Sequence, residues 1–352
     1  MPELPAVGKI SPEVFSSLIY PRLGAARPEV LVGPRSGVDI AVVEIGKDRV
    51  MATTCDPVFV VPQYGMRRAA WFAIHILASD VATSGLPPAY IAIDLNLPLE
   101  ITGPELTELW DAMHETCSEL GIAVISGHTA RYEGCAYPMV GGATVVAVGA
   151  KDAYVTPEMA RPGDVLLATK GAAIEATGLF GVTFPDQLAR RIGADLSLKA
   201  QELFYQMSVV KDAMAASAYG VRERGVTAMH DATECGVLGG VFEIAQASGV
   251  GVRLEERKVL VREEVRAVCD AVGIDPLAAI SEGTLLLTAR PEHADGILRA
   301  LSEAGVPASA IGEILPEERG MILTTDAGDR PLVHPGVDPF WAAFGKAMEA
   351  GL

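Results

Sequence analysis

Three aspartates near the start of the chain stand where a carboxylate is costly. Asp39 sits inside the apolar run Gly37-Val38-Asp39-Ile40-Ala41-Val42. Asp56 follows a β-rich run, Val50-Met51-Ala52-Thr53-Thr54-Cys55-Asp56-Pro57. Asp80 interrupts an apolar helical pattern, Leu77-Ala78-Ser79-Asp80-Val81-Ala82. A carboxylate in apolar surroundings must be paired, hydrogen-bonded or bound to a cation. Gathered by the fold, Asp39, Asp56 and Asp80 could hold Mg²⁺, which prefers a few carboxylates together with waters and phosphate oxygens. Taken singly, each could equally be an ordinary cap or turn acid.

His128, in Ile125-Ser126-Gly127-His128-Thr129, follows a short apolar run, where α/β proteins often place ligand-binding groups. It could meet a phosphate, serve as a base, or simply bond to backbone. Farther on, Met229-His230-Asp231-Ala232-Thr233-Glu234-Cys235-Gly236 puts small and polar residues before a helical pattern. Free backbone N–H groups at such a helix start can hold an anion; the plainer alternative is a capping turn with Asp231 or Thr233 as the cap. Cys235 is read as a small packed residue, since nothing places a base beside it. Gly171–Gly178 matches neither G-x-x-x-x-G-K-[ST] nor G-x-G-x-x-G, so neither a P-loop nor a Rossmann phosphate site is supported.

These residues need elements to position them. Val38–Ile45 and Arg49–Thr54 read as strands around Gly46-Lys47-Asp48. Residues 66–84 read as a helix that is apolar on nearly every side, hence buried. Tyr90–Leu97 is a strand, and residues 103–120 form an amphipathic helix between Thr102 and Gly121. Ile122–Ile125 is a short buried strand, and Met139–Gly149 another. Polar, turn-rich residues 156–164 mark a boundary. Beyond it, strands are expected at Val165–Thr169, Thr284–Thr288 and Met321–Thr325. Helical patterns cover roughly 196–218, 237–248, 262–272 and 292–304. The domains expected are an irregular arm over 1–36, a first domain over 37–155, a second over 156–330, and a tail helix over 331–352 bearing Phe340, Trp341 and Phe344. His75 and His114 fall on helical patterns and are read as structural.

Composition narrows the function. The 352 residues are 50% hydrophobic and 21% charged, enough to bury a core. A formal net charge of −17 argues against nucleic-acid backbones and anionic lipid. The five cysteines are scattered with no C-x-x-C, which leaves zinc knuckle and disulfide scaffold unsupported. With no signal peptide or membrane span evident, a soluble cytoplasmic protein is expected.

Five segments, in order, resemble the aminoimidazole-ribonucleotide (AIR) synthase superfamily. Gly37–Val42 resembles its G-D-D-A-A-V, Thr54-Cys55-Asp56 its T-x-D, and Ser79–Gly85 its N-D-x-A-x-x-G. Gly127-His128-Thr129 falls where it carries G-D-T, and His230-Asp231-Ala232-Thr233 with Gly236 resembles H-D-P-T-R-G-G. The second half is most similar to HypE-type hydrogenase-maturation factors. The resemblance implies an α/β (α+β) chain of two domains, with an N-terminal mixed sheet that forms a barrel across a homodimer interface. It implies ATP and Mg²⁺ as cofactors. It also implies phosphorylation of an amide, carbamoyl or carboxyl oxygen of a small molecule, and a protein partner in a maturation pathway. By position, Asp39, Asp56 and Asp80 would hold Mg²⁺ and ATP with Gly37, Gly127 and Thr129, while His128, Asp231 and Thr233 would serve catalysis.

The chain also departs from that pattern. Val38, Ser79 and His128 replace an acid, an asparagine and an acid, and Glu234-Cys235 replaces arginine–glycine. HypE carries its carbamoyl group on a C-terminal cysteine, whereas the last cysteine here is Cys269. A different substrate is therefore expected. A non-catalytic nucleotide-binding paralogue and a small-molecule kinase similar to thiamine-monophosphate kinase are the alternatives.

Overall fold

The computed structural model describes residue 10 and residues 12–352. Residues 1–9 and Ser11 of the expected arm lie outside the described residues. A single turn, α1 (Pro12–Val14), leads through π and 3-10 turns to Arg22.

The first sheet contains β1 (Val30–Val32), β2 (Ala41–Gly46), β3 (Arg49–Phe59), β4 (Pro88–Leu97), β5 (Ala123–Arg131) and β6 (Met139–Ala150). Their order is β1-β2-β3-β6-β4-β5, antiparallel except between β4 and β5. Helices α2 (Met66–Ala82) and α3 (Gly103–Leu120) pack on it. The near-encircling apolar pattern of α2 has the meaning expected, since most of its residues are buried. Helix α3 starts in a capping box: the Thr102 hydroxyl accepts from the Glu105 N–H, and Glu105 Oε2 accepts from the Thr102 N–H at 2.8 Å. It ends at Gly121, in the left-handed conformation at φ 72°.

Strand β5 departs from expectation. It runs on to Arg131, carries His128 within it, and is exposed along almost its whole length. It is the sheet's edge strand, with β4 on one side and, among the described residues, no strand on the other, so its apolar Val124 and Ile125 stay 44% and 60% exposed.

The second half begins with β7 (Val165–Thr169) and four helices, α4 (Ile174–Thr183), α5 (Pro185–Ile192), α6 (Ala194–Glu202) and α7 (Val210–Tyr219). Then come β8 (Val226–Asp231), α8 (Gly236–Ser248), β9 (Gly251–Glu255), α9 (Glu263–Val272), β10 (Leu285–Ala289) and α10 (Pro291–Glu303). β11 (Ala308–Leu315), β12 (Met321–Thr325), β13 (Gly328–Pro331) and α11 (Pro339–Ala350) complete it. The sheet order is β13-β12-β9-β11-β7-β10-β8, with only β12 and β9 parallel. The chain is thus a mixed α/β fold with two mixed sheets.

One helical expectation changes, and one open reading is resolved. Gly171–Gly178, a glycine-containing loop or helix start by sequence, leads into α4 at Ile174, and α5 follows after Phe184. A Cβ at Gly178 would lie 2.9 Å from the Phe204 backbone, and one at Gly181 would lie 2.7 Å from the Ala200 backbone. These glycines permit close packing of α4 rather than ending it. The expected helix 196–218 breaks at Met207–Val209, where tertiary hydrogen bonds capture the backbone. The Val209 N–H donates to Ser79 Oγ at 3.0 Å, and Lys170 Nζ donates to the Ser208 carbonyl at 2.7 Å.

The two halves share one core. Leu77, Ala78 and Val81 of α2 pack in the same cluster as Val209, Val210, Met229 and Leu285. Beside this seam Lys170 is buried against Asp212, Nζ to Oδ2 2.7 Å, and the Thr169 hydroxyl donates to the same carboxylate at 2.5 Å. Burial, followed by the nearby Lys170 charge, pushes His75 down to about 4, so it is neutral and bonds Ser208 Oγ at 2.8 Å.

Candidate active site

The site starts at the end of β8, where Asp231 pairs in register with Leu285 of β10. Ala232–Cys235 then turns the chain into α8. Gly37, at φ 75°, brings the incoming loop against α8, and a Cβ there would lie 3.2 Å from the Cβ of Glu243. That approach delivers Asp39 to the buried His230: Nδ1 stands 3.1 Å from Asp39 Oδ2, an ion-pair distance without hydrogen-bond alignment, and 3.6 Å from Asp231 Oδ1. The other nitrogen, Nε2, bonds Glu243 Oε2 at 2.8 Å. Burial alone opposes the imidazolium, but Asp39, Asp231 and Glu243 together outweigh it and hold His230 well above the usual histidine range.

Asp80 rises from α2 on the other side of Asp231. The Thr54 hydroxyl donates to its Oδ2 at 3.0 Å. Burial, then the charge of Asp231, a hydrogen bond with Asp56 and the charge of Asp39, raise Asp80 well above the usual carboxylate range. Neither oxygen of the fully buried Asp231 meets an aligned donor, nor does Glu282 Oε2. Glu282 is likewise raised, by burial and then by Asp231 and Glu175. Crowded acids with orphaned oxygens and a single histidine among them fit a hard cation.

These groups border a cavity of about 580 Å³ between the two halves. Asp39, Asp56, Asp80 and Thr54 line it from the first half, Glu175, Thr233 and Glu234 from the second. Glu175 is pushed up to about 8, chiefly by burial; the Glu282 N–H donated to its Oε2 at 3.0 Å pulls the other way, and neighbouring acids add to the rise. The tail helix α11 closes part of the cavity with Phe340, Trp341, Phe344 and Met348.

A family model described as AIR synthase related protein, N-terminal domain, matches residues 37–150, and its C-terminal counterpart matches residues 161–323. The chain belongs to the AIR synthase related protein family. It is 31% identical to the carbamoyl dehydratase HypE of Escherichia coli K12 over 277 residues, 76% of each chain. It is 26% identical over 344 residues to a hydrogenase expression/formation protein of Methanocaldococcus jannaschii, covering 95% of this chain and 96% of the relative. A crystal structure of the hydrogenase maturation protein HypE in complex with ATP shares the fold, with TM-score 0.62 and 23% identity over 95% of this chain and 97% of that one.

In this AIR synthase related chain the sequence-derived residues do not all meet. Asp39, Asp56, Asp80 and Thr233 line the cavity, and Asp231 lies behind it. The tightest donor group is not the expected aspartate trio but Asp39, His230 and Asp231, whose ligand atoms lie within 4.8 Å of one another. With carboxylates facing both ring nitrogens, His230 is a charged partner of those acids rather than a metal ligand. Gly127, His128 and Thr129 are on exposed β5, away from the cavity, and His128 Nε2 bonds the Tyr132 hydroxyl at 2.9 Å. Gly127 is needed by the sheet, since a Cβ there would lie 2.2 Å from the Ile93 carbonyl oxygen.

The helix start at residues 231–236 also departs from expectation. Neither Asp231 nor Thr233 caps α8. The N-cap is Cys235, left-handed at φ 63°, and its N–H donates to Asp338 Oδ2 at 2.6 Å. The chain's own tail carboxylate therefore takes one of the N–H groups read as free for an anion. Cys235 is buried, and burial followed by Asp338 and Glu234 pushes its thiol up to about 12, so no thiolate forms there. Sequence reading missed His230, Glu243, Glu175 and Glu282. Of these, Glu175 carried a signal in an acid set among Gly171, Ala172, Ala173 and Ile174, but its partners are distant in sequence.

A pH dependence follows. Glu175 and His230 both titrate above their unfolded values, so the folded chain binds more protons and stability falls as pH rises. For Glu175 the fall spans the ordinary carboxylate range up to about 8. His230 contributes fully below about 6.5, its unfolded value, and that contribution disappears as pH climbs through its raised folded value. The melting temperature of ligand-free protein should decline between about pH 5 and pH 8. Glu175→Gln should flatten that slope, and an unchanged slope would contradict the assignment.

Proposed function

We propose that this chain is an ATP- and Mg²⁺-dependent enzyme. It would transfer the terminal phosphoryl group of ATP to an amide, carbamoyl or carboxyl oxygen of a small molecule, releasing ADP and, after displacement, phosphate. The observation that carries this reading is the convergence of Asp39, Asp56 and Asp80 on one cavity, beside the buried Asp231 whose oxygens meet no aligned donor.

Catalysis of phosphoryl transfer is mostly positioning and neutralisation of charge. Mg²⁺, when bound, would be held by Asp39, Asp56 and Asp80 and would screen phosphate oxygens from these carboxylates. Thr54 orients Asp80 through its hydrogen bond, and the His230 imidazolium, braced by Glu243, fixes Asp39. Thr233 brings a hydroxyl to the cavity from the second half. Glu175, raised to about 8, keeps its proton near neutral pH and can donate it to an oxygen in the cavity.

Gly127, His128 and Thr129 enter this reading only through a homodimer. The exposure of β5, with Ile125 60% exposed, supports a partner subunit there. The fold likeness to HypE in a crystal structure of a HypE–HypF complex, with TM-score 0.66 over 84% of this chain, supports a protein partner in a maturation pathway. Among the described residues no helix is long and apolar enough to cross a membrane.

His128, standing where the family resemblance has an acid, favours a second reading: a nucleotide-binding paralogue with little turnover. Incubation with MgATP, following ADP and phosphate with and without simple amides and carbamoyl compounds, separates the two. The enzyme reading expects ADP formation stimulated by an acceptor. Saturable MgATP binding with no turnover under any condition would contradict it and establish the paralogue.

A further inference from the structure

The cavity has an unusual balance of charge. Asp39, Asp56, Asp80, Glu175 and Glu234 line it, and among the described residues no lysine, arginine or histidine does. An anionic acceptor would find no cationic side chain there. The backbone N–H of Cys235, which could have served an anion, is already held by Asp338.

Much of the remaining lining is aromatic, and the tail supplies a large part of it. Helix α11 is anchored: Asp338 is buried, its Oδ1 accepts from the Phe340 N–H at 2.8 Å, and its Oδ2 accepts from Cys235 on α8. Phe340 is buried, edge-on to Phe180 at 5.4 Å and stacked on Phe344 at 4.9 Å. Trp341 follows, 5.2 Å from Phe340; it lines the cavity and is about half exposed. A half-uncovered indole on a fixed helix, in a cavity rich in carboxylates, is an arrangement that attracts a cationic or neutral ring.

We propose that α11 is the specificity wall of the cavity, and that the acceptor is a neutral or cationic ring-bearing molecule packed against Trp341 and Phe344. Anionic acceptors are turned away, which narrows the phosphoryl-transfer reading to amide and carbamoyl oxygens. The word acceptor rests on the phosphoryl-transfer reading; the ring selectivity does not.

Three probes of one shape test it: benzylamine, benzamide and benzoate, titrated into the full chain by saturation-transfer NMR. Benzylamine and benzamide should bind saturably, and benzoate about tenfold more weakly or not at all. Trp341→Ala should weaken the first two by roughly fivefold, and Trp341→Phe should restore most of that loss. Melting temperatures of both variants check that the fold is kept. Benzoate binding as well as benzylamine, or Trp341→Ala leaving all three unchanged, would overturn the proposal. Displacement of benzylamine by adenosine, or joint loss of ring and MgATP binding in Trp341→Ala, would assign the wall to the nucleotide base and overturn it too. MgATP titrated into the wild-type chain tests the phosphoryl-transfer reading separately.

Discussion

Asp80→Asn is expected to lower Mg²⁺-dependent ATP turnover by roughly 10²–10³-fold, the loss typical of removing one group that stabilises charge at a reacting centre. The same change should leave the ligand-free chain as stable as before, or more so. Asp80 is buried beside Asp231, Asp56 and Asp39, and its carboxyl is already raised well above the usual range. An amide keeps the size and can still accept from the Thr54 hydroxyl, now 3.0 Å away. It also removes a carboxyl whose ionised form burial penalises. Kinetics and urea melts on one sample check both halves. Full turnover in Asp80→Asn would remove the aspartate cluster from the chemistry. Lost turnover together with a large loss of stability would mean that Asp80 serves the fold instead.

Lys170→Met should destabilise the chain by roughly 3–5 kcal/mol, the usual cost of leaving one member of a buried ion pair without its partner. Lys170 is 7% exposed and Asp212 2%. Burial lowers the Lys170 pKa, and Asp212 works against that fall. Without the ammonium, Asp212 keeps only the Thr169 hydroxyl, and the Ser208 carbonyl loses its donor at the break between α6 and α7. Adding Asp212→Asn should recover much of the loss, because the stranded charge goes with it. A change below about 1 kcal/mol in Lys170→Met would show that the pair holds little of the seam.

These two sites were legible in the sequence to different degrees. Asp39, Asp56 and Asp80 stood out because acids in apolar runs are locally costly, and short-range pattern suffices to see that. Glu175 carried the same local signal but not its role, and Lys170, His230 and Glu282 carry none, since the partners of all four come from distant elements. Helix α3 could be read from Thr102 to Gly121 because its caps are adjacent in the chain. The break at Met207–Val209 could not, because Ser79 and Lys170 cause it from far away in sequence. The same distance hid the tail: Asp338–Leu352 was readable as a helix, but not as a wall of the cavity fixed to Cys235. Val124 and Ile125 are apolar, which by sequence predicts a buried strand, while their exposure in β5 is set by the edge position.

The central claim is that separated acids gather to receive a cation and a nucleotide. Titration calorimetry of MgATP into the wild-type chain near pH 7, repeated in two buffers of different ionisation enthalpy, tests it most directly. Glu175, raised to about 8, holds a proton near pH 7, Asp80 and Glu282 are raised in the same direction, and a bound cation would favour the ionised forms of all three. The account predicts saturable ATP binding that requires Mg²⁺ and releases protons to the buffer. ATP binding that ignores Mg²⁺, or no saturable binding in either buffer, would contradict it.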